Sequence, residues 1–437
     1  MKDMIFNAEL HNMLVEMALR VFRAAPVSQQ PRCVVHIGGW DGDLLQQLDE
    51  GLRDLRSPEE LQKFPITLVK LAESGSHNQG ADEGIHHVTI RASGPDEVQV
   101  ELKALGITSS DQILWVSTCL EGNSEQALSS TCGDPLQWAK VIGKHGIIVA
   151  QAISLPAQHA LGTQLADIDS TLGADPVLMA AAALGLFPRA KNVKTLTEAP
   201  GTGLLLAHFE RRDYLVRLAK EEDLPILMTL EQRCWAVALQ ASVDEIQQRI
   251  HRYPAGQLAL EMDGAVCGVI YSQRIHALEG LNRMTSDSVW QLHAGDAGIL
   301  QLLAVNILPE YQQMNLGDQL LEFTLQRATV MTGVESVAAV TLCKRYSQQR
   351  QHSMDEYIRW RTQHGKLHDP ILRFHELHGA TIQHPIANYR PADKENEGYG
   401  VLVTYDLQQR QRDEVVAAEI NGGNRTPEQS LQLGDLE

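Results

Sequence analysis

Apolar and polar residues in the second half of the chain follow two different periods, which separates predicted strands from predicted helices. Residues 214–235 begin as an alternating strand and continue as an amphipathic helix with acidic residues in its first turn. Two strand patterns within 257–272 are joined by Asp263 and Gly264, a strong hairpin signal. The remaining predicted elements are a helix at 243–253, a strand at 299–307, a helix at 317–330, a strand at 337–342, a helix ending near Gly379 and a strand at 400–405.

The first half of the chain also alternates strand and helix patterns, which indicates a second α/β domain. Residues 33–37 form a short apolar run that leads into a glycine-rich turn and a helix pattern. The other candidate buried strands are 66–71, 113–117, 147–152 and 204–209. We therefore predict an α/β fold class with two domains, at residues 1–210 and 211–407, followed by a linker tail at 408–437.

The clearest ligand signal is the run L-L-A-V-N-I-L-P-E-Y-Q-Q-M-N-L-G-D-Q-L-L at 302–321, which ends a strand, turns through Gln312 to Gly317 and opens a helix. Such a turn presents unpaired backbone N–H groups and the positive end of the helix dipole, which together bind phosphate oxygens. An ordinary helix cap would give the same pattern, so the turn by itself predicts a phosphate site without naming the ligand.

This turn resembles the pyrophosphate loop of the GNAT acetyltransferase superfamily, whose signature is Q/R-x-x-G-x-G/A. Asn315 replaces the first glycine, and asparagine tolerates positive φ better than most residues. The order of predicted elements also matches the GNAT topology. The resemblance implies that coenzyme A binds at the turn, with its pantetheine arm between the strands that contain Val305 and Thr341. The residues assigned to the coenzyme are Val305, Gln312, Gln313, Asn315, Gly317 and Asp318.

The expected catalytic base of an ordinary GNAT N-acetyltransferase is missing. Such enzymes often carry a glutamate on the fourth strand, but the corresponding run I-L-Q-L-L-A-V-N-I has no carboxylate. The motifs I-L-Q-L-L-A-V-N-I-L-P-E, G-D-Q-L-L-E-F, D-P-I-L-R-F-H-E-L-H-G-A and Y-R-P together resemble the loading GNAT domains of modular polyketide synthases, of the curacin type, over about residues 212–407.

That resemblance implies decarboxylation of malonyl-CoA, or of a methylmalonyl analogue, and loading of the acetyl unit on the phosphopantetheine arm of an acyl carrier protein. The implied partners are this carrier protein and other polyketide synthase domains. Loss of carbon dioxide leaves an enolate, which needs hydrogen-bond donors at its oxygen and an acid for its carbon. Matching the family motifs, Thr341 would donate to the oxyanion or orient the carboxylate, and His375 would deliver the proton near neutral pH. A strand threonine and a helix-capping histidine are the alternatives.

Two further residues are candidates for substrate binding. Trp235 would form an apolar wall that favours loss of the carboxylate as carbon dioxide, or would simply pack in the core. Arg390 would hold the carboxylate or a carrier-protein phosphate, or form a surface salt bridge. We interpret His378 as a C-terminal helix cap. His364 and His368 lack ligand spacing, so no metal site is predicted.

The glycine-rich turn of the first domain resembles that of class I S-adenosylmethionine methyltransferases, a Rossmann-like fold. In that family an acidic residue precedes G-x-G-x-G, whereas His36 and Gly38-Gly39-Trp40 stand here. A tryptophan at the position of close backbone approach would occupy the space of the methionine moiety. We predict a degenerate methyltransferase-like or adaptor domain without a functional cofactor site, and regard Glu73 as a weak candidate for ribose binding.

Composition narrows the functional class. The 437 residues are 43% hydrophobic and 21% charged, which is typical of a globular protein. A net charge of −18 argues against a nucleic-acid partner, because duplex binding depends on basic patches. No apolar run reaches membrane-spanning length, and the scattered cysteines are typical of a reduced compartment, so we expect a cytoplasmic protein.

Three functions remain open from the sequence. The first is a decarboxylase of a polyketide loading module, with or without acyl transfer to the carrier protein. The second is an N-acetyltransferase acting on an amine, which the absent strand glutamate disfavours. The third is a non-catalytic docking module of a synthase.

Overall fold

A computed structural model gives the structure of the chain. It describes residues 2–37, 44–72, 79–82, 84–92, 94–119, 135–154, 174–195 and 202–412. The chain divides into two compact units, Met1–Leu215 and Val216–Glu437. Within the described ranges, no helix combines the length and the apolar character needed to cross a lipid bilayer.

The first unit is built on a sheet with the strand order β3-β4-β2-β1-β5-β6-β8-β7. The five central strands β4, β2, β1, β5 and β6 run parallel, whereas β3, β8 and β7 pair antiparallel. Its strands are β1 (Cys33–Ile37), β2 (Ile66–Ala72), β3 (Gln79–Asp82), β4 (Ile85–Arg91), β5 (Ile113–Cys119), β6 (Ile147–Ser154), β7 (Leu186–Thr195) and β8 (Thr202–Arg211). This confirms the predicted Rossmann-like α/β class.

The helices of the first unit are α1 (Lys2–Arg23), α2 (Leu44–Leu55), α3 (Pro58–Lys63), α4 (Pro95–Ala104) and α5 (Ala174–Ala182). The long helix α1 has no counterpart among the predicted elements. It buries Leu10, Leu14 and Phe22 in one apolar cluster with α2 and the central strands. Its buried positions recur every four residues, so the helical period was present in the sequence.

The second unit is built on a seven-stranded sheet with the order β14-β15-β13-β12-β11-β10-β9. The pair of β12 and β13 is parallel, and the other pairs for which a register is given are antiparallel. Its strands are β9 (Tyr214–Leu218), β10 (Gln257–Met262), β11 (Ala265–Ile275), β12 (Ile299–Ile307), β13 (Ser336–Thr341), β14 (Ala380–Ile386) and β15 (Gly400–Asp406).

The helices of the second unit are α6 (Leu224–Cys234), α7 (Val243–Arg252), α8 (Leu316–Ala328), α9 (Met354–Tyr357) and α10 (Pro370–Leu377). The predicted hairpin joins β10 to β11. Asp263 and Gly264 adopt φ angles of 52° and 77°, the left-handed pair that a two-residue hairpin turn requires. Residues 413–437, most of the predicted linker tail, lie outside the described residues.

Candidate functional site

The central feature of the second unit is a pair of parallel strands that separate. β12 and β13 pair from Ile299 with Ser336 as far as Leu302 with Ala339, and both strands continue beyond that point. Beyond that point the two strands no longer pair with each other, although Val305 of β12 still pairs with β11 and Thr341 of β13 still pairs with β15. A gap between two strand ends exposes main-chain groups to a ligand on the side that faces the gap. The two strands that we predicted to flank the pantetheine arm therefore part where the arm would enter.

A β-bulge lies at the start of this gap. Tyr271 of β11 is opposite Ala304, and the next residue, Ser272, is opposite Leu302, so Leu303 has no partner in the register. A bulge bends its strand and redirects the adjacent side chains. Leu303 and Ala304 line a cavity of the unit.

The predicted phosphate turn follows β12. Pro309–Met314 forms a short 3-10 helix, Asn315 adopts φ 59° and ψ 22°, and helix α8 begins at Leu316. The left-handed conformation of Asn315 explains why asparagine can stand where the family signature has glycine. The first amides of α8 have no acceptor within the helix, as in any helix N-terminus, and such a set of donors can bind a phosphate.

The side chains assigned to the coenzyme have different surroundings. Gln312 donates through Nε2 to the main-chain oxygen of Ile307 at 3.0 Å, so it holds the turn against the end of β12. Gln313 is exposed and Gly317 is buried. The Asp318 carboxylate is engaged within the protein, so any contribution of this residue to phosphate binding would come from its main-chain amide.

A cavity of about 350 Å³ lies in the second unit beside the bulge. Trp235 and Arg390, the two candidates for substrate binding, both line it. Thr341 and His375 are not among its lining residues. Other polar or aromatic residues that line it include Glu231, Arg249, Arg252, Gln273, Asp287 and Trp290.

A buried polar chain holds Trp235 in place. Its Nε1 donates to Oδ1 of Asn306 at 2.8 Å, and Nδ2 of Asn306 donates to Glu231 at 2.8 Å. The other carboxylate oxygen of Glu231 accepts from the amide of Ala241 at 2.8 Å. Burial raises the pKa of Glu231, although these donors oppose the shift. Sequence reasoning missed Glu231 and Asn306; the only signal was a polar residue near the end of an apolar strand.

Arg390 is a buried cation rather than part of a surface salt bridge, with 8% of its surface exposed. Its Nη2 donates to the main-chain oxygen of Val340 at 3.0 Å. Its Nη1 is buried and has no hydrogen-bond partner among the described residues. Burial lowers the pKa of the guanidinium, but arginine remains charged in proteins. The cavity thus contains a desolvated positive charge with a free donor, which suits a carboxylate.

Thr341 directly follows Val340, the residue whose main-chain oxygen accepts the hydrogen bond from Arg390. Among the described residues, the hydroxyl of Thr341 makes only one long contact, 3.5 Å, with the oxygen of Leu342. It therefore remains available for a ligand at the gap between β12 and β13.

His375 lies in the last turn of α10, and Asp369 fixes the start of that helix. One oxygen of Asp369 accepts from the amides of Ile371 and Leu372, and the other accepts from the Tyr357 hydroxyl at 2.9 Å. Asp369 also accepts from the amide of Lys344, in the segment just after β13. A single carboxylate thus ties the helix of His375 to the strand of Thr341. The Asp-Pro start of the motif was the sequence signal for this cap.

The expectation that His375 titrates near neutral pH is wrong for this structure. The ring is buried and lies near His378, and burial together with this neighbouring charge lowers the pKa of His375 to about 3. The imidazole is therefore neutral at pH 7. It can donate a hydrogen bond, but it cannot serve as an imidazolium acid in this state.

His378 is the C-cap residue of α10, as we expected, and its amide donates to the main-chain oxygens of Glu376 and His375. Its ring, however, contacts side chains of another helix. Nε2 lies 3.0 Å from Asp318 and Nδ1 lies 3.1 Å from Glu322, both on α8. Burial would lower the pKa of His378, but the two carboxylates outweigh it and raise the pKa above its ordinary value. Arg410 and Arg412 bind the same carboxylates. This buried network links the helix of the phosphate turn to the helix of His375.

The candidate cofactor turn of the first unit, from Gly38 to Gly42, and Glu73 lie outside the described residues. Loss of S-adenosylmethionine binding therefore stays a prediction. Among the described residues, no group of three or more histidine, cysteine or acidic side chains could hold a metal ion. Of the cysteines described, Cys33, Cys267 and Cys343 are buried thiols.

Comparisons with known proteins assign the two halves differently. Residues 4–129 match the family model described as the AprA MT2-like domain, which agrees with the methyltransferase-like first unit. A curated relative, the probable hydrolase YhcX of Bacillus subtilis (strain 168), is 22% identical over 206 residues. The match covers 46% of this chain, and the chain spans only 40% of that protein's length.

Two solved structures resemble this chain more closely in sequence. The GphF GNAT-like decarboxylase, solved in complex with isobutyryl-CoA, is 36% identical, with a TM-score of 0.42, over 44% of this chain and 98% of its own. The loading GNATL domain of CurA from Lyngbya majuscula is 47% identical, with a TM-score of 0.45, and the match covers 46% of this chain and 100% of that domain. On the strength of that identity over the whole domain, the chain belongs, through its GNAT-like half, to the family of loading GNAT-like domains of polyketide synthases.

Proposed function

We propose that the second unit decarboxylates the malonyl group of malonyl-CoA, or of a methylmalonyl analogue, to provide the starter unit of a polyketide synthase. The observation that carries this proposal is the buried guanidinium of Arg390, whose Nη1 has no partner among the described residues and which lines the cavity together with Trp235. A neutral acetyl group would leave Nη1 without a strong acceptor, whereas a malonyl carboxylate would pair with it.

Coenzyme A would bind at the turn formed by residues 309–317. The helix N-terminus of α8 would hold the pyrophosphate, and the pantetheine arm would run into the gap between the ends of β12 and β13. This path leads from the turn toward Thr341, next to the main-chain oxygen that Arg390 contacts. The printed name of GphF, a decarboxylase in complex with an acyl-CoA, agrees with a coenzyme ligand for this fold.

The reaction breaks the bond between the α carbon and the carboxylate carbon. Carbon dioxide leaves, the electron pair moves into the thioester to form an enolate, and the α carbon then takes up one proton from solvent. Because His375 is neutral, we do not assign it the role of proton donor that the sequence predicted. We assign the hydroxyl of Thr341 and the N–H of His375 as hydrogen-bond donors to the enolate, whose negative charge they stabilise.

Trp235 would shield the reacting carboxylate from water. An ionised carboxylate is better solvated than neutral carbon dioxide, so an apolar wall favours the product side of this step. The bonds through Asn306 and Glu231 keep the indole in place. Both carboxylate oxygens of Glu231 accept bonds from the protein, so we assign it a structural role rather than that of a base for amine acetylation.

Mass spectrometry of the full chain tests the proposal. The protein is incubated with malonyl-CoA, acetyl-CoA, a phosphopantetheinylated acyl carrier protein and simple amines. We expect acetyl-CoA to form from malonyl-CoA, and His375→Ala to abolish this product in a folded protein. Acetylated amine without decarboxylation would establish the acetyltransferase alternative, and unchanged masses throughout would support a docking module. Acetyl on the carrier protein would add acyl transfer to the activity.

A further inference from the structure

The imidazole of His375 and the phenol of Tyr405 form a buried pair in the second unit. Oη of Tyr405 lies 2.6 Å from Nδ1 of His375, a short hydrogen bond between side chains 30 positions apart in the chain. Tyr405 is fully buried, and His375 retains 9% of its exposure. Water therefore cannot readily replace either partner in this bond.

The direction of the hydrogen bond follows from the number of donors and acceptors. A phenol has one O–H, and a neutral imidazole carries its single proton on one of two nitrogens. If Nδ1 carried that proton, the O–H of Tyr405 would be a buried donor without an acceptor among the described residues. Donation from the Tyr405 hydroxyl to an unprotonated Nδ1 satisfies this fully buried O–H and leaves the one free N–H on Nε2 of His375, which keeps 9% of its exposure and can meet a ligand. Native structures strongly favour the second arrangement.

We propose that Tyr405 is a positioning residue whose hydroxyl fixes His375 in the tautomer that carries its proton on Nε2. This Nε2–H is then the donor that His375 presents to the enolate oxygen, so the proposal rests on the function proposed above. Among the described residues Nε2 has no hydrogen-bond partner, which leaves it for a ligand.

A phenol that bonds Nδ1 affects the charge of the His375 imidazole differently from a carboxylate. A carboxylate on Nδ1 would stabilise an imidazolium, whereas burial raises the pKa of Tyr405 and keeps the phenol neutral. The titratable groups that face the His375 ring are Tyr405 and His378, and the positive His378 opposes a second positive charge. His375 is therefore held as a neutral donor, which needs no change of protonation when the enolate forms.

The fold makes Tyr405 a rigid support. The residue lies near the end of β15, paired with Val337 of β13 on one side and Ala380 of β14 on the other. A side chain held by strands on both sides loses little further entropy on positioning a neighbour. His375 lies in the last turn of α10, and Ala380 begins the strand that follows, so this short connection sets the ring over Tyr405.

Nitrogen NMR of the full chain with ¹⁵N-labelled histidine tests the tautomer without reference to activity. The signals of His375 are assigned by their loss in His375→Gln. We expect Nδ1 to resonate as an unprotonated nitrogen and Nε2 as a protonated one, both unchanged across the neutral pH range. In Tyr405→Phe we expect the two tautomers to become mixed. A protonated Nδ1 in the unmodified protein would overturn the proposal.

Kinetics of malonyl-CoA decarboxylation test the consequence for the site. Tyr405→Phe should lower kcat by about tenfold with KM unchanged, because the donor is misplaced but the coenzyme site is intact. Tyr346→Phe is the matched control. Tyr346 is also a buried tyrosine, and within the described part of the chain its hydroxyl bonds only the main-chain oxygen of His352, so this variant should keep the native kcat.

The outcomes separate the two proposals. A native kcat in Tyr405→Phe, combined with loss of activity in His375→Ala, would show that the hydroxyl does not position the catalytic ring. Native activity in His375→Ala would instead refute the role of His375 in the proposed function, and with it the use of the tautomer, even if the NMR signals show the expected Nε2–H form.

Discussion

Nη2 of Arg390 donates to the main-chain oxygen of Val340 at 3.0 Å, so a cation that lines the cavity is fixed directly beside Thr341. Val340 is fifty positions away in the sequence, in the middle of the sheet. This bond uses one end of the guanidinium and leaves Nη1 without a partner among the described residues. Nη2 therefore anchors the guanidinium to the sheet, and Nη1 is left for a ligand.

Arg390→Ala should raise KM for malonyl-CoA by about 10- to 100-fold, since a hydrogen bond to a charged group contributes about 1.5–3 kcal/mol. Affinity for acetyl-CoA, which lacks the carboxylate, should be unchanged in calorimetric titration. Arg390→Lys keeps the charge but cannot serve Val340 and the ligand in the same fork geometry, so it should be intermediate. Equal losses for the two coenzyme esters would refute a carboxylate role for Arg390.

Thr341→Val removes a hydroxyl while nearly keeping the shape of the side chain. Loss of one oxyanion donor typically lowers turnover by ~100- to 1,000-fold, so kcat for decarboxylation should fall by that factor with coenzyme affinity intact. Thr341→Ser keeps the donor and should retain most of the activity. Equal activity of the valine and serine variants would show that the hydroxyl is not used.

The phosphate turn should depend on main-chain geometry more than on side chains. Gly317→Val crowds a buried position in the first turn of α8 and should weaken coenzyme A binding by about tenfold or more, as measured by calorimetry. Gln313→Ala changes an exposed side chain and should have little effect. Gly317→Ala provides a milder step if the valine variant is unstable. Stronger loss in Gln313→Ala would place the phosphates elsewhere.

Asn306→Ala should destabilise the protein by about 1–3 kcal/mol, because it removes a donor from the buried Glu231 carboxylate and an acceptor from Trp235. Asn306→Asp should add a pH dependence. A carboxyl group whose pKa is raised in the folded state destabilises the protein as the pH rises above the ordinary pKa of that group. A second carboxylate facing Glu231 would raise the pKa of each of the two groups. Melting temperatures should therefore fall from about pH 5 to about pH 8 in Asn306→Asp more than in Asn306→Ala.

The buried network of His378 predicts a second pH dependence of stability, which arises from a base whose pKa is raised rather than from an acid. The pKa of His378 is raised above 6.5 in the folded state, so its stabilising contribution is fully present below 6.5 and is lost as pH rises through the folded value. The melting temperature of the native protein should exceed that of His378→Gln most at about pH 6, and the difference should shrink toward about pH 9. A constant difference would show that His378 stays neutral. The charged groups facing His378 are Asp318, Glu322, Arg410 and Arg412, and the neighbouring His375 is neutral in this pH range.

Glu322 determines how the stability of the same network changes at acidic pH. Burial would raise its pKa, but His378 and Arg410 outweigh this effect and hold the pKa at about 2. Its contribution to stability is therefore present above its ordinary value of 4.5 and is lost only as pH falls through about 2. Glu322→Gln should remove this acid-side dependence in the same melting experiments.

Local features of this protein were determined by the sequence alone. Asp263 and Gly264 form the hairpin turn because only residues that tolerate positive φ fit there. Asn315 takes the left-handed conformation for the same reason, and Asp369 with Pro370 starts α10. The period of apolar residues separated strands from helices and so indicated the α/β class of both units. These features involve neighbours in the chain, so their physics is contained in a short window of residues.

Only the tertiary structure decided the electrostatic state of the site. The pKa of His375 depends on burial and on His378, and its tautomer depends on Tyr405, thirty positions away. The bond between Trp235 and Asn306 spans 71 positions, and that between Arg390 and Val340 spans fifty. Desolvation and hydrogen bonding act through space, and no local pattern records which groups are brought together. For this reason the sequence could suggest residues for the candidate site, but it could not indicate that burial and His378 lower the pKa of His375.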